Sequence, residues 1–331
     1  MNKIPLAVIG VGHLGRFHAE KFASFPEVEL VGVVDVIPER ALEVARACQT
    51  KAFFDYREVL PLVKAVSVVV PTVHHFEVTK AALEAGCHVF VEKPLASTPQ
   101  EARELVKLAQ KLGLILQVGH IERFNPAIKK LLASVSNPIF IEAQRVSRFS
   151  PRCLDVDVIL DLMIHDIDLV LTLTREKIAE LQATGAPVIT DKVDLASVRL
   201  RFKNGVVANL TASRIALKPA RSFRVYQPGV YFAADTLEST FIKVDLSENG
   251  LAHHPSPVPE KFAQADPLKD ELRAFVEAIS REKTPPVSGE EGFEALELAF
   301  RIKREIERQQ ASFLAREGSC LPDLVRHCVS S

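Results

Sequence analysis

The sequence predicts an α/β protein in two parts: a parallel sheet with helices on both faces, then a mostly antiparallel sheet with helices on one face. Three observations predict this. Short runs rich in Val and Ile alternate with helical stretches over the first 120 residues, the pattern of a buried parallel sheet. The chain opens with an apolar strand, a glycine turn, a helix and a second strand ending in an acid. After Asn125-Pro126 the pattern changes, and alternation of apolar and polar residues dominates from Leu195 to Leu246, as in strands with one wet face.

The opening unit carries the most chemistry. Ile4-Pro5-Leu6-Ala7-Val8-Ile9 runs into Gly10-Val11-Gly12-His13-Leu14-Gly15, and a second apolar run, Val28 to Val34, ends on Asp35. The order and spacing match a dinucleotide-binding βαβ unit, the Rossmann fingerprint. Gly10 makes the tight turn, Gly12 lets the backbone approach a pyrophosphate, and Gly15 lets the helix pack on the strand. His13 and Leu14 open the helix, whose free N–H groups favour phosphate. Asp35 suits a ribose 2′-hydroxyl. No arginine follows it at once, and Arg40 already lies in the next helix, so NAD is expected over NADP.

The remaining elements follow from local signals. Pro38 to Ala47 reads as a helix with proline in its first turn, and Asp55 to Val63 as a short one. Val66 to Val70 is a strand stopped by Pro71. Phe76 to Ala85 is a helix ended by Gly86, and Cys87 to Val91 is the next strand. Ser97-Thr98-Pro99-Gln100-Glu101 resembles a cap with an acidic first turn, starting a helix that ends near Gly113. Leu114 to Val118 is a further strand. In the second part, Ala127 to Ala133 and Val156 to Leu173 read as helices, and Ile139 to Val146 as a strand. Val198 to Phe202, Val206 to Ile215, Phe223 to Tyr226 and Tyr231 to Asp245 supply more strands, with Asn204-Gly205 a hairpin signal. His253 to Pro267 reads as a loop. Pro267 to Ile279 and Glu290 to Gln310 are helical.

Composition narrows the function. The 331 residues suggest two domains. A net charge of −1 gives no reason for nucleic acid or an anionic membrane as partner. No 18-residue apolar run exists to span a bilayer. The apolar N-terminus reads as a first strand and not a signal peptide. Five scattered cysteines, Cys48, Cys87, Cys153, Cys320 and Cys328, form no CxxC pair, and a reducing cytoplasm is the expected compartment.

Several residues can carry chemistry. The strand Val89 to Val91 leads into Glu92-Lys93-Pro94, and ligands of open α/β sheets sit at strand carboxyl ends. Lys93 is therefore expected beside the cofactor, where a lysine can exchange protons; a surface lysine after a strand has the same sequence. Pro71, Thr72 and His75 follow another strand end. His120, Arg123 and Asn125 follow the last strand of the first part, as substrate contacts or as a domain-joining loop. Asp161 and His165 are four apart and share a helix face. A histidine beside a carboxylate serves as acid or base near neutral pH, although an ordinary solvated pair has that spacing too. No third ligand for a metal is evident there. Arg145, Arg148 and Arg152 suit a diphosphate or carboxylate, or simply a solvated basic stretch.

Taken together, GVGHLG, Asp35, the Pro71–His75 segment PTVHH, Glu92-Lys93-Pro94 and the Asp161/His165 helix resemble the Gfo/Idh/MocA oxidoreductases over roughly residues 1 to 310. The resemblance implies NAD as cofactor and a catalytic set of Lys93, Asp161 and His165. It also implies an N-terminal Rossmann domain, 1–122, and a C-terminal α/β domain, 123–331, with a large, mostly antiparallel open sheet. That sheet is implied as the interface of a homodimer or homotetramer, and helix 290–310 is expected to pack back on the first domain. QVGHIERFNP, beginning at Gln117, and the run Asp157 to Asp168, containing VILDLMIHDID, are similar to the UDP-N-acetylglucosamine 3-dehydrogenase subgroup, implying a nucleotide-sugar substrate. The chain departs from many relatives in having Val156-Asp157-Val158-Ile159, and no glycine cluster, before Asp161. A free sugar or polyol such as inositol is the rival substrate. An NAD-dependent glycosidase and a cofactor-binding sensor without catalysis are the rival functions.

Overall fold

The computed structural model describes residues 3–150, 156–245, 257–262 and 265–316. The chain forms two compact units, Met1–Phe124 with Ala265–Leu296, and Asn125–Gln264 with Glu297–Ser331.

In the first unit, strands β1 (Ile4–Ile9), β2 (Val28–Val34), β3 (Lys51–Phe53), β4 (Ala65–Val68), β5 (His88–Glu92) and β6 (Leu116–Gly119) form one sheet in the order β3-β2-β1-β4-β5-β6. All neighbours are parallel. The order reverses between β1 and β4, which makes a crevice for a ligand at their carboxyl ends. Helices α1 (His13–Ala23), α2 (Pro38–Ala47), α3 (Tyr56–Val59), α4 (His75–Glu84) and α5 (Pro99–Leu112) connect the strands. Local chemistry fixes their ends. Thr98 and Glu101 form a capping box at α5, Pro99 is its first residue, and Gly113 closes it at φ +66°.

The first unit is discontinuous, which a single boundary near residue 122 does not express. The helix Pro267–Arg281 returns to it because Leu272, Phe275 and Val276 are fully or nearly fully buried with Leu6, Phe22 and Phe90 in its core. The start of the helix Gly289–Arg316 joins it too. Gly289 and Gly292 lie against Leu116 and Val118, where a side chain would collide.

The second unit holds α6 (Pro126–Ser134) and α7 (Ile164–Thr174). Its sheet is built from β7 (Phe140–Val146), β8 (Ile178–Ala186), β9 (Leu195–Phe202), β10 (Val207–Ser213), β11 (Ala220–Gln227), β12 (Val230–Asp235), β13 (Thr240–Asp245) and β14 (Glu260–Lys261). Their order is β14-β13-β12-β11-β7-β10-β9-β8. Only the β7–β10 pairing is parallel among these neighbours. On β9, Ala196, Val198, Leu200 and Phe202 are buried, while Leu195, Ser197, Arg199 and Arg201 face outward.

Three local readings need correction. Strand β8 has no counterpart in the expected elements, because its burial follows no strict alternation. Tyr231 to Asp245 is two strands and not one. Asp235 Oδ1 accepts the N–H groups of Leu237 and Glu238, making a turn without Gly, Pro or Asn. The segment expected as one helix, Val156 to Leu173, begins with a π turn at Ile159–Met163 before α7.

Candidate functional site

In the first unit, the glycine turn behaves as its sequence requires. Gly10 has φ +87°, and a Cβ there would lie 2.6 Å from the Val69 carbonyl oxygen. A Cβ on Gly15 would collide with the Gly10 carbonyl, whereas one on Gly12 would meet nothing within 4 Å. Gly12 thus leaves open space over the start of α1, where His13, Leu14 and Gly15 present N–H groups with no intrahelical acceptor. Asp35 closes the other side. Its Oδ2 accepts the Val11 N–H at 3.0 Å and its Oδ1 accepts the Ile37 N–H at 2.9 Å. Each carboxylate oxygen keeps a lone pair for a hydroxyl. An open phosphate cradle at a helix start beside a fixed carboxylate fits a dinucleotide. The neighbouring Val36 is 85% exposed, an apolar wall that the glycine pattern alone did not reveal.

Lys93 follows β5 directly. The Glu92 carboxylate accepts the Lys93 N–H at 3.3 Å through Oε2, and its Oε1 lies 3.2 Å from His18 Nε2. Burial pushes the Glu92 carboxyl up, but His18, Lys93 and His75 outweigh it and hold the group below the usual carboxylate value. Pro71 is exposed and Thr72 half-buried. His75 is different: it is buried, with Nδ1 2.7 Å from the Pro94 carbonyl and Nε2 2.9 Å from that of Val70. Both ring nitrogens are engaged by the fold itself, so His75 holds the loops and offers no ring nitrogen to a cofactor. Burial lowers its pKa.

The expected substrate contacts fare unevenly. His120 is buried in the first unit. Arg123 is bound to Glu291 at 2.6 Å and to the Pro286 carbonyl at 3.0 Å. In the second unit, Asn125 caps α6 by accepting the Ala127 N–H and donates to the Thr236 carbonyl. Arg145 is buried against Asp166. These polar groups hold the fold together, a use that basic clustering in sequence cannot distinguish from ligand binding. Arg148 is exposed and donates through Nε to the Leu217 carbonyl. Arg152 lies outside the described residues.

Asp161 and His165 occupy the π turn and the first turn of α7. The regular α-helical face expected for them is replaced by a π-to-α junction, a feature frequent at functional sites. Leu160, Met163, Ile164, Asp166, Ile167 and Asp168 are buried, while Asp161 and His165 are half-buried. The junction is anchored from its start. Asp157 Oδ1 accepts the N–H groups of Ile159 and Leu160, and its Oδ2 lies 2.7 Å from Lys303 Nζ. Arg214 donates to the Val156 carbonyl at 2.6 Å. Asp157, Lys303 and Arg214 escaped the sequence reading, since their pairing is non-local. Among the described residues, no cluster of three His, Cys, Asp or Glu is placed to hold a metal ion.

A parallel sheet with an open glycine cradle and an acid at the second strand defines a dinucleotide-binding oxidoreductase fold. Residues 4–120 match the model of the oxidoreductase family with NAD-binding Rossmann fold, and residues 127–227 match the Gfo/Idh/MocA C-terminal domain. The chain belongs to the Gfo/Idh/MocA oxidoreductase family, and NAD is its cofactor. It is 40% identical to UDP-N-acetylglucosamine 3-dehydrogenase of Acidithiobacillus ferrooxidans, over 93% of this chain and 98% of the relative. It is 29% identical to myo-inositol 2-dehydrogenase of Thermotoga maritima, over 92% and 97%. A solved structure of the Acidithiobacillus enzyme superposes with a TM-score of 0.85 at 39% identity, covering 93% of this chain and 99% of that one.

Proposed function

We propose that this protein oxidises the 3-hydroxyl of UDP-N-acetylglucosamine to a ketone. The observation that carries this reading is the 40% identity, along nearly the whole chain, to an enzyme named for that reaction. When bound, NAD supplies the hydride acceptor. Lys93 stabilises the alkoxide that develops at the reacting carbon. His165 takes the hydroxyl proton, since an imidazole exchanges protons near pH 7. Asp161 orients its neighbour and balances its charge. Asp35 binds the adenosine ribose, and the N–H groups at the start of α1 bind the pyrophosphate. Of the arginine trio, Arg148 is the one assigned to the substrate diphosphate.

The test is a screen of UDP-sugars, free sugars and polyols, following NADH absorbance. Turnover of UDP-N-acetylglucosamine is expected. Lys93→Ala, Asp161→Ala and His165→Ala should each lower it by about two orders of magnitude or more, the scale of lost acid–base catalysis. Their losses should not add. Turnover of inositol alone would replace the substrate. Normal turnover in His165→Ala would overturn the assigned base.

We assign the open face of the second unit's sheet to a homodimer or homotetramer. The cross-strand partners Phe140, Tyr226 and Tyr231 share that face, with ring centroids 5.8 and 5.1 Å apart. A half-buried aromatic row on this sheet face favours a partner with closed symmetry. Light scattering decides it. The scattered cysteines support a reducing cytoplasm as the compartment, and among the described residues no helix is long and apolar enough to cross a membrane.

A further inference from the structure

We propose that His18 and His75 form a clamp that positions Lys93 by gripping the residues on either side of it. The inference rests on Lys93 being the residue that meets substrate, and it concerns only the first unit.

Three elements bring polar groups together beneath the end of β5. His18 comes from α1, Ser67 from β4 and Glu92 from β5. His18 Nδ1 lies 3.0 Å from Ser67 Oγ, and its Nε2 lies 3.2 Å from Glu92 Oε1. That second contact is a close approach without hydrogen-bond geometry. His18 is 1% exposed and Ser67 fully buried. The other inward positions of α1 are Gly15, Ala19 and Phe22, so His18 interrupts an otherwise apolar face. Burying an imidazole and a carboxylate costs free energy unless each finds a partner. Here the ring is hydrogen-bonded to Ser67 and lies 3.2 Å from one Glu92 oxygen, while the other Glu92 oxygen takes the Lys93 N–H.

The second histidine grips the opposite side. His75, at the start of α4, reaches the carbonyl of Pro94 at 2.7 Å and that of Val70 at 2.9 Å. Carbonyl oxygens only accept, and the neutral ring that burial favours carries one N–H, so it donates to one carbonyl and packs against the other, bridging the two loops in either tautomer. Glu92 and Pro94 are the chain neighbours of Lys93. One histidine fixes the side chain of the first, and the other fixes the carbonyl of the second. Gly119 completes the packing, since a Cβ there would lie 3.0 Å from the Glu92 carboxyl group. The lysine backbone is therefore held from both directions by side chains that need not touch any ligand. Preorganisation of this kind matters because small displacements of a reacting group cost about 100-fold in rate.

The experiment reads Lys93 directly. Lysines of the full chain are labelled by reductive ¹³C-methylation, and the Lys93 signal is assigned by its absence in Lys93→Arg. His18→Ala and His75→Ala should each shift the Lys93 signal and move its titration by about half a pH unit or more, the lower end of what rearranged neighbouring charges do. His18→Gln, which retains a donor toward Glu92, should lie closer to the parent. With UDP-N-acetylglucosamine as substrate, the alanine variants should lose about tenfold or more in kcat, with the NAD Kd within about twofold. Gly119→Ala presses on the same carboxylate without altering a histidine and should move the same signal, which covers the case of an alanine variant that fails to fold. An unmoved Lys93 signal in the folded variants overturns the clamp. Normal turnover in Lys93→Ala overturns the catalytic reading instead, and the Lys93 signal still decides the clamp.

Discussion

Arg145 and Asp166 form a buried bidentate ion pair in the second unit: Arg145 Nε reaches Oδ2 at 3.1 Å and Nη2 reaches Oδ1 at 2.9 Å. Both side chains are 4% exposed. The pair ties β7 to α7 in the residue next to His165. Removing one partner leaves an uncompensated buried charge, which costs about 3–5 kcal/mol. Arg145→Met should therefore destabilise the protein on that scale in urea unfolding. The joint change Arg145→Met, Asp166→Leu should recover most of the loss, because a well-packed apolar pair replaces buried ions at little cost. A loss below about 1 kcal/mol in the single variant, the scale of an exposed pair, would show that the guanidinium reaches water.

Asp35 governs cofactor choice. Its carboxylate is fixed by the Val11 and Ile37 N–H groups, so it cannot swing away from a phosphate placed at the ribose. NAD should bind more tightly than NADP in calorimetry, and Asp35→Asn should narrow the gap by removing the repelling charge while keeping an acceptor. Tighter NADP binding by the parent protein would reverse the assignment.

Much of the first unit is legible because steric demands are local. Gly10 and Gly15 are required by contacts within the turn itself, and Thr98 with Glu101 marks the start of α5 within four residues. What could not be read is non-local or lacks a pattern. Strand β8 lies at the sheet edge, where one pairing partner suffices and alternation is not enforced. The π turn at Ile159–Met163 inserts one residue into a sequence that suits an α-helix equally well. Basic residues were the least legible part of the site. Arg123 and Arg145 looked like ligand contacts, but Glu291 and Asp166, far along the chain, already hold them. His18 gives no signal, since its neighbours Ser67 and Glu92 come from strands far along the chain.

Glu291 should contribute to the acid limb of stability. Burial pushes its carboxyl up, but Arg123 and the hydrogen bonds from Ser288 outweigh that and hold it below the usual value. A lowered carboxyl stabilises the fold fully above its unfolded pKa, about 4.3 for glutamate. That contribution is lost as the pH falls through the folded value. Glu291→Gln should lower the urea midpoint at neutral pH, and the difference from the parent should shrink on acidification below about 4.3. A difference that stays constant with pH would assign the effect to packing.

The proposed nucleotide-sugar substrate carries a diphosphate, which makes the sharpest demand on the second unit. Two negative phosphates need cations, and Arg145 is fully engaged by Asp166 in a bidentate fork. Arg148 is exposed, and its Nε donates to the Leu217 carbonyl, which orients the guanidinium; among the described residues no carboxylate pairs with it. A charge-assisted hydrogen bond is worth about 1.5–3 kcal/mol. Arg148→Ala should therefore raise the Michaelis constant for UDP-N-acetylglucosamine about tenfold or more and leave NAD affinity nearly unchanged. UDP alone should inhibit competitively and raise the melting temperature when NAD is present, since it carries the same diphosphate. A free polyol substrate predicts neither effect. If millimolar UDP leaves both turnover and melting temperature unmoved, the nucleotide is not recognised, and the reaction belongs to an unactivated sugar or polyol.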